Sequence, residues 1–583
     1  MRVSPSLFRK FSVLAVLVVF AVLICIVNPL REFLPQDDGW AYARSVKHLV
    51  ETGEYRLDAW AAASMPVQIY LAAGLAVVFG YSLSLLTTST ILLFLCGAIA
   101  FYQLLRDSGA KDTLSACLTI ALICSPLILL LCFTFMTDVP FLSWVLIACW
   151  LYARGLRRQS TTFLFLGGLC AALSIGTRQF GVALPAGLVV AALISPRQQR
   201  PGWLNILAGV AAPSVAFVWQ LLAATNHPNF TQLVRLVEQS GYLAQPPLQL
   251  AMHWLWRCAV IAEYLGLFLA PLVPGLLLLR RQTCDTVHPR AGNERTRPSS
   301  LASMLAIGGL FALLTTGHLM TFTNTSGELE PRIQASLMPM IPWVLGQLFA
   351  AELPYQITLT LLAAASCAVI VGLLVGHSAR TNVWSSRDAA SCFLAATGIS
   401  FFLLHLLYVQ LNDTYLIIFL PFVLFFLSGP LNTPRAAATS MRLIAIGTGV
   451  TGIILALWLR GDLNRQEVIW RASEEIHAAG VDPMEVRGSL AWGEYHSAFD
   501  QWLTSLGPKA RPEDYSGPYR LHNPFYAWLT DRQREPAYLV YAANQVPQIG
   551  GYSVVTRLPY RDSLLRRRFV YVVKRQFGGP PGP

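Results

Sequence analysis

LPQDDGWAY, residues 34–42, places two adjacent carboxylates, Asp37 and Asp38, a few residues after the first long apolar run. Only 13% of the 583 residues are charged, against about 25% in a soluble domain, so the position of each charge is informative. A pair of acids at a membrane surface can accept a proton from a nucleophile or bind a divalent ion. Asp38 can also simply cap the helix that follows, and the two interpretations are compatible.

Composition identifies a polytopic membrane protein, because 55% of the residues are hydrophobic and many apolar runs reach the roughly 20 residues that cross a bilayer. The first run is too long for a signal peptide and lacks a small-residue cleavage site, which predicts a retained anchor. The net charge of +12 comes from short basic loops between apolar runs, a pattern that orients membrane helices and argues against nucleic-acid binding. The eleven cysteines form no metal or disulfide pattern.

Basic loops predict the topology, with a cytoplasmic N-terminus and with Asp37 and Asp38 on the outer face. We predict an all-α domain of about thirteen transmembrane helices over residues 1–460, with outer loops at 31–80, 225–253 and 321–354. Within it, 65–80 is a short surface helix, 112–135 is one span, 161–194 is two spans that turn at Arg178, and 443–459 is the final span. Residues 461–583 are predicted to form a small extracytoplasmic α/β domain, with a helix over 466–479 and strands at AYLVY and RFVYVV.

Two further charges fall on the same face in this topology. Asp138, in FMTDVP, opens the fourth span, and Arg178 lies in SIGTRQFG. Each has a simpler explanation, since an Asp before Pro often caps a helix and a lone arginine can reach the membrane interface. Transfer of a group from a lipid phosphate needs a base for the acceptor and positive charge for the leaving phosphate. These acids and this cation supply both.

The chain resembles the GT-C superfamily of integral membrane glycosyltransferases, in particular protein O-mannosyltransferases and aminoarabinose transferases of lipid A. The resemblance rests on the order of QDDGWAYA, TGEY, the 65–80 helix, TDVP, SIGTRQFG and LNDTYLIIFLPF. It implies inverting transfer from a polyprenyl-phosphate sugar to a lipid, glycan or protein acceptor, in the plasma (inner) membrane.

The resemblance also implies residue roles. One of Asp37 and Asp38 is the general base, and Asp138 orients the acceptor or holds an ion. The substrate-binding residues are then Tyr42, Arg178, Arg332 and Tyr415. The sequence departs from the family pattern at Met65 and Thr414, where basic residues are expected, so the donor phosphate must depend on Arg178, Arg332 or another cation. Any divalent metal ion would be held by Asp37, Asp38 and Asp138.

Two other functions fit a similar outline. A transporter or lipid flippase would carry ionisable groups or broken helices near the bilayer midplane and would show paired halves. The acids here lie at span ends and no halves repeat, which favours an enzyme. A non-catalytic subunit that retains the membrane domain of a transferase is the second alternative, and the departures at Met65 and Thr414 agree with it.

Overall fold

The structure, a computed structural model, describes residues 5–35, 38–58, 60–61, 66–226, 230–278, 361–374, 388–409, 413–432, 438–496, 536–543, 546 and 549–576. Asp37, Arg332, Met65, the predicted span at 301–320 and the predicted loop at 321–354 lie outside these ranges. The first helices are α1 Pro5–Val27, α2 Gly39–Thr52, α3 Pro66–Phe79, α4 Leu83–Asp107, α5 Asp112–Ile123, α6 Pro126–Cys132 and α7 Asp138–Arg158. They are followed by α8 Thr161–Ile175, α9 Ala183–Ile194, α10 Trp203–Asn226, α11 Phe230–Leu243, α12 Pro247–Leu269 and α13 Leu361–Leu374. The last are α14 Ala389–Leu407, α15 Leu420–Leu431, α16 Ala438–Ala478 and α17 Leu490–His496.

The predicted class, a multi-span helical membrane domain with a small C-terminal sheet, is confirmed. Eight helices of the described part are long and apolar enough to cross a membrane, or nine if the bent α5–α6 pair is one span. The total of thirteen is not confirmed. The segment at 225–253, predicted as a loop, is largely helical, because α11 lies within it and α12 begins there.

The predicted third span, 112–135, is broken rather than straight. Helices α5 and α6 meet at a 68° bend. Pro126 causes the break, because proline has no N–H to continue the helix and disfavours helical geometry in the residue before it. Ser125 accordingly has an extended ψ of 134°. The predicted turn at Arg178 is present, because α8 ends at Ile175 and Arg178 is extended with a φ of −151°.

Polar contacts mark the two ends of the helix bundle. At one end, Asp107 meets Arg154 at 3.6 Å and Arg157 meets Asp388 at 2.8 Å, which joins the ends of α4 and α7 to the start of α14. The opposite ends of α7 and α8 meet where Asp138 contacts Arg178, hereafter the site end. The alternation of up and down helices therefore brings distant segments of the chain to the site end.

The final helix corrects the sequence prediction at the C-terminal boundary. The predicted span at 443–459 and the predicted helix at 466–479 are one continuous helix, α16, of 41 residues. No proline separates them and Gly461 is accommodated within the helix, so the chain turns only at Gly480, which has a φ of +91°. At its site-end half, α16 is tied to the first loop by Arg31, which contacts Glu467 at 2.8 Å and Asn464 at 2.9 Å.

The C-terminal unit is a four-stranded sheet beside α16. Its strands are β1 Val486–Arg487, β2 Tyr538–Ala543, β3 Tyr552–Arg561 and β4 Arg567–Arg575, in the order β1-β2-β4-β3. Strands β2 and β4 are the two predicted from AYLVY and RFVYVV. Among the described strands, β1 and β2 alone pair in parallel, and Val540 opposite Val572 is buried. Helix α17 lies against α2, and its Tyr495 hydroxyl is 3.2 Å from that of Tyr81, which lies just before α4.

Candidate active site

Helix α2 positions the acidic residue of the first loop. Asp38 occupies the N-cap position, but its side chain makes no capping hydrogen bond. Instead, its Oδ1 accepts a hydrogen bond of 3.0 Å from the indole Nε1 of Trp60. The capping explanation for Asp38 is therefore wrong for the side chain, although the residue stands where a cap would. Asp38 is solvent-exposed.

Asp138 and Arg178 form a buried ion pair. The Arg178 Nη2 donates to Asp138 Oδ2 at 3.0 Å, and its Nε donates to the Thr137 hydroxyl at 2.7 Å. The Asp138 side chain is only 1% exposed and that of Arg178 is 11% exposed. Thr137, and not Asp138, is the N-cap residue of α7, and Asp138 Oδ1 has no hydrogen-bond partner among the described residues. Asp138 therefore does not cap α7 with its side chain, and Arg178 is paired inside the protein and not simply extended to the membrane interface.

Tyr415, from a distant part of the chain, packs against the Arg178 side of the ion pair. The Arg178 guanidinium carbon lies 4.7 Å from the centroid of the Tyr415 ring, a cation–π distance. Tyr415 is in the 3₁₀ turn Asp413–Phe419 that precedes α15. Two further rings, Phe180 and Tyr408, lie 6.0 and 6.5 Å from it. The site end thus has an aromatic wall beside its buried cation.

Tyr42 links the two halves of the site. Its phenol is buried and interacts electrostatically with Asp38, Asp138, Arg178 and Tyr415. Burial raises the pKa of Tyr42 well above its ordinary value, the negative charge of Asp38 raises it further, and Arg178 lowers it. Tyr42 is therefore a neutral hydroxyl at physiological pH. The five described residues that the sequence singled out come together here, whereas Asp37 and Arg332 lie outside the described residues.

Sequence reasoning missed several residues that the structure adds. Trp60 and the buried Asp58 follow α2 in LDAW, and His405 stacks on Phe180 with ring centroids 4.7 Å apart. In the sequence, Asp58 and Trp60 could have been noticed only as an acidic and an aromatic residue a few positions after Gly53, where α2 ends. His405 carried no signal, since a lone histidine in an apolar helix has no pattern.

The donor set for a metal ion is incomplete in the part of the chain that the structure describes. No group of three or more His, Cys, Asp or Glu side chains there is arranged to hold an ion. Asp38 accepts from Trp60 and Asp138 already pairs with Arg178. These two carboxylates alone do not form a divalent-ion site, which needs more oxygen ligands.

Residues 63–225 match the family model for dolichyl-phosphate-mannose-protein mannosyltransferase, a region that contains Asp138 and Arg178 but begins after Asp38 and Tyr42. No curated protein gives a significant match.

The crystal structure of ArnT from Cupriavidus metallidurans bound to undecaprenyl phosphate is similar at 15% identity and a TM-score of 0.39, over 97% of this chain and 98% of that one. An Archaeoglobus fulgidus oligosaccharyltransferase tethered with an acceptor peptide is similar at 13% identity and a TM-score of 0.24, over 71% of this chain and 55% of that one. At such TM-scores neither structure carries an argument about this chain. The family match confirms, over the residues it spans, the resemblance to the GT-C superfamily of membrane glycosyltransferases.

Proposed function

We propose that the protein is a glycosyltransferase that moves a sugar from a polyprenyl-phosphate donor to a hydroxyl or amine of a lipid, glycan or protein acceptor. One observation carries the proposal: Asp38, Tyr42, Asp138, Arg178 and Tyr415, which are far apart in sequence, meet at one end of the helices. An exposed acid and a buried, fixed cation at the same membrane face are the groups that displacement of a lipid phosphate requires.

The reaction is a single displacement. The acceptor oxygen or nitrogen attacks the anomeric carbon, its proton passes to the base, and the bond from the anomeric carbon to the phosphate oxygen breaks with its electron pair leaving on the phosphate. Attack from the side opposite the leaving group inverts the anomeric configuration. The base is Asp38 or its neighbour Asp37.

Asp138 is a poor candidate for the base because its charge is already committed to Arg178 at 3.0 Å. We assign it the role of holding the guanidinium. With Thr137 and Asp138 as fixed partners, Arg178 needs no rearrangement to present positive charge to the donor phosphate. Since Asp138 offsets part of that charge, a second cation is needed for full compensation, and Arg332 is the candidate from the sequence.

The proposed side of the membrane follows from the opposite end of the bundle. Arg106, Lys111, Arg154, Arg157 and Arg158 lie near that end, and short basic segments stay in the cytoplasm. The site end, and with it the C-terminal sheet, is then extracytoplasmic, in the plasma (inner) membrane. In a variant lacking the native cysteines, a membrane-impermeant maleimide applied outside should label Glu54→Cys and not Arg197→Cys. The reverse labelling would overturn this orientation.

Activity can be tested with radiolabelled polyprenyl-phosphate sugars and the purified protein in lipid vesicles. We expect consumption of one donor, and we expect Asp37→Asn/Asp38→Asn to lower its rate by about 10²- to 10⁴-fold, the usual contribution of a general base. The matched control is Glu51→Gln, an exposed carboxylate on the same helix α2, which should leave the rate unchanged. A double variant that folds and keeps the full rate would remove the proposed base.

A further inference from the structure

The segment after α2 folds back over the start of that helix. Gly53 ends α2 with a φ of +75°, which favours glycine and reverses the chain. The returning stretch, GEYRLDAWA, carries two residues that contact α2 directly, Asp58 and Trp60. Neither belongs to the set of residues that the sequence singled out.

Asp58 is a buried carboxylate whose contacts fix the returning segment. Its side chain is 3% exposed and lies 3.4 Å from the Arg44 guanidinium. Its backbone N–H donates to the Ser45 hydroxyl at 2.9 Å, and its Oδ1 accepts from the backbone N–H of Trp60 at 3.0 Å. Two consecutive residues of α2 thus hold Asp58, and Asp58 holds the backbone of Trp60.

Trp60 in turn reaches the candidate base. Its indole Nε1 donates to Asp38 Oδ1 at 3.0 Å, and its ring lies 6.3 Å from that of Trp40 at an interplanar angle of 30°. Trp40 is 1% exposed, so it provides a rigid surface against which the Trp60 ring packs. A hydrogen bond to a charged carboxylate is stronger than one between neutral groups and restricts the rotation of that carboxylate.

We propose that Trp60 is a positioning residue for the Asp38 carboxylate and that Asp58 acts through Trp60 by fixing its backbone. This inference rests on the proposed function, since it concerns the base of that reaction. The arrangement aims the carboxylate at the acceptor before the acceptor arrives, which is the geometric condition for efficient proton transfer. Trp60 itself exchanges no proton.

The test compares Trp60→Phe with the wild-type protein in the donor-consumption assay. Phenylalanine keeps one aromatic ring for packing against Trp40 and loses the donor N–H together with the second ring of the indole. We expect kcat to fall about tenfold, the equivalent of one hydrogen bond to a charged group, with KM for donor and acceptor unchanged. An unchanged kcat, or a raised KM with kcat intact, would overturn the proposal.

A double-mutant cycle separates positioning from a general effect on folding. Because Asp58 acts through Trp60, the effects on kcat of Asp58→Asn and Trp60→Phe should not add, and the double variant should be as slow as the slower single variant. Additive losses would refute the assigned order. The Asp38→Asn variant distinguishes the two levels of proposal. Full activity in Asp38→Asn and in Asp37→Asn/Asp38→Asn removes the base. Full activity in Asp38→Asn with loss in the double variant makes Asp37 the base and overturns the positioning role, and loss in Asp38→Asn with a wild-type kcat in Trp60→Phe removes the positioning role alone.

Discussion

Replacing the buried ion pair of Asp138 and Arg178 by apolar residues should restore stability but not activity. Removing one partner of a buried pair leaves an uncompensated charge, which costs about 3–5 kcal/mol, whereas an apolar pair of similar volume is often neutral. Arg178→Met should lie near the upper end of that range, because the carboxylate left behind is 1% exposed and its Oδ1 already has no partner among the described residues. Asp138→Leu should lie nearer 3 kcal/mol, because Arg178 keeps Thr137 and the Tyr415 ring.

The assay is the free energy of unfolding in mixed detergent micelles, measured for both single variants and for Asp138→Leu/Arg178→Met. The double variant should unfold within about 1 kcal/mol of wild type while its transferase rate stays at the level of the more damaged single variant. The matched control is the Asp107–Arg154 pair at the opposite end, where both side chains are about a quarter to a third exposed. There Arg154→Met should cost no more than about 1 kcal/mol and leave the rate unchanged.

Two results would refute this reasoning. If the two single losses add in the double variant, the residues do not stabilise one another and the geometry of the pair is irrelevant to the fold. If the double variant is stable and fully active, the pair is structural, and the donor phosphate must find its positive charge elsewhere.

Three further outcomes follow from the same structure. Because the pKa of Tyr42 is raised, its phenol stabilises the fold below about pH 10 and that contribution is lost as pH rises further, so Tyr42→Phe should flatten the alkaline fall in melting temperature. Tyr495→Phe removes the hydroxyl contact to Tyr81 and should cost about 1 kcal/mol and speed proteolysis of the C-terminal unit, measured by gel. Gly187→Ala should destabilise by about 1–3 kcal/mol in thermal unfolding, because its Cβ would lie 2.9 Å from the Thr397 backbone, whereas Gly74→Ala, with nothing within 4 Å, should be neutral or slightly stabilising.

The helices were largely predictable because a membrane imposes length and polarity on each span. The bounds of α3 and the turn at Arg178 were anticipated within a few residues. The errors have local physical causes. Hydropathy is averaged over a window of residues, so it predicts a straight span across the bend at Pro126. Hydropathy also drops where polar residues begin near residue 460, so it divides α16 there although the helix is continuous.

The site was predictable only as a set of residues on one face. Parity of crossings predicts Asp38, Asp138 and Arg178 at the same end, but no sequence pattern predicts that Arg178 pairs with Asp138. Side-chain pairing depends on the packing of α7 against α8, which sequence spacing does not encode. The contact of Trp60 with Asp38 is likewise not predictable from the sequence, because the two residues are 22 positions apart.

The position of the ionisable groups along the helices bears on the choice between an enzyme and a transporter. In α4, α7 and α14 the charged side chains and the histidine lie at or near the helix ends, and α15 carries no charged side chain. Transporters place such groups near the bilayer midplane, where substrate and ions bind between broken helices. Helix α12 departs from this pattern with His253, Arg257 and Glu263. The Arg257 guanidinium donates to the carbonyls of His405 and Leu406 at the end of α14, so its charge stabilises a helix terminus at the site end. Chemistry at one membrane face, with α16 carrying the C-terminal unit beside it, accounts for this distribution of charge better than passage through the bilayer.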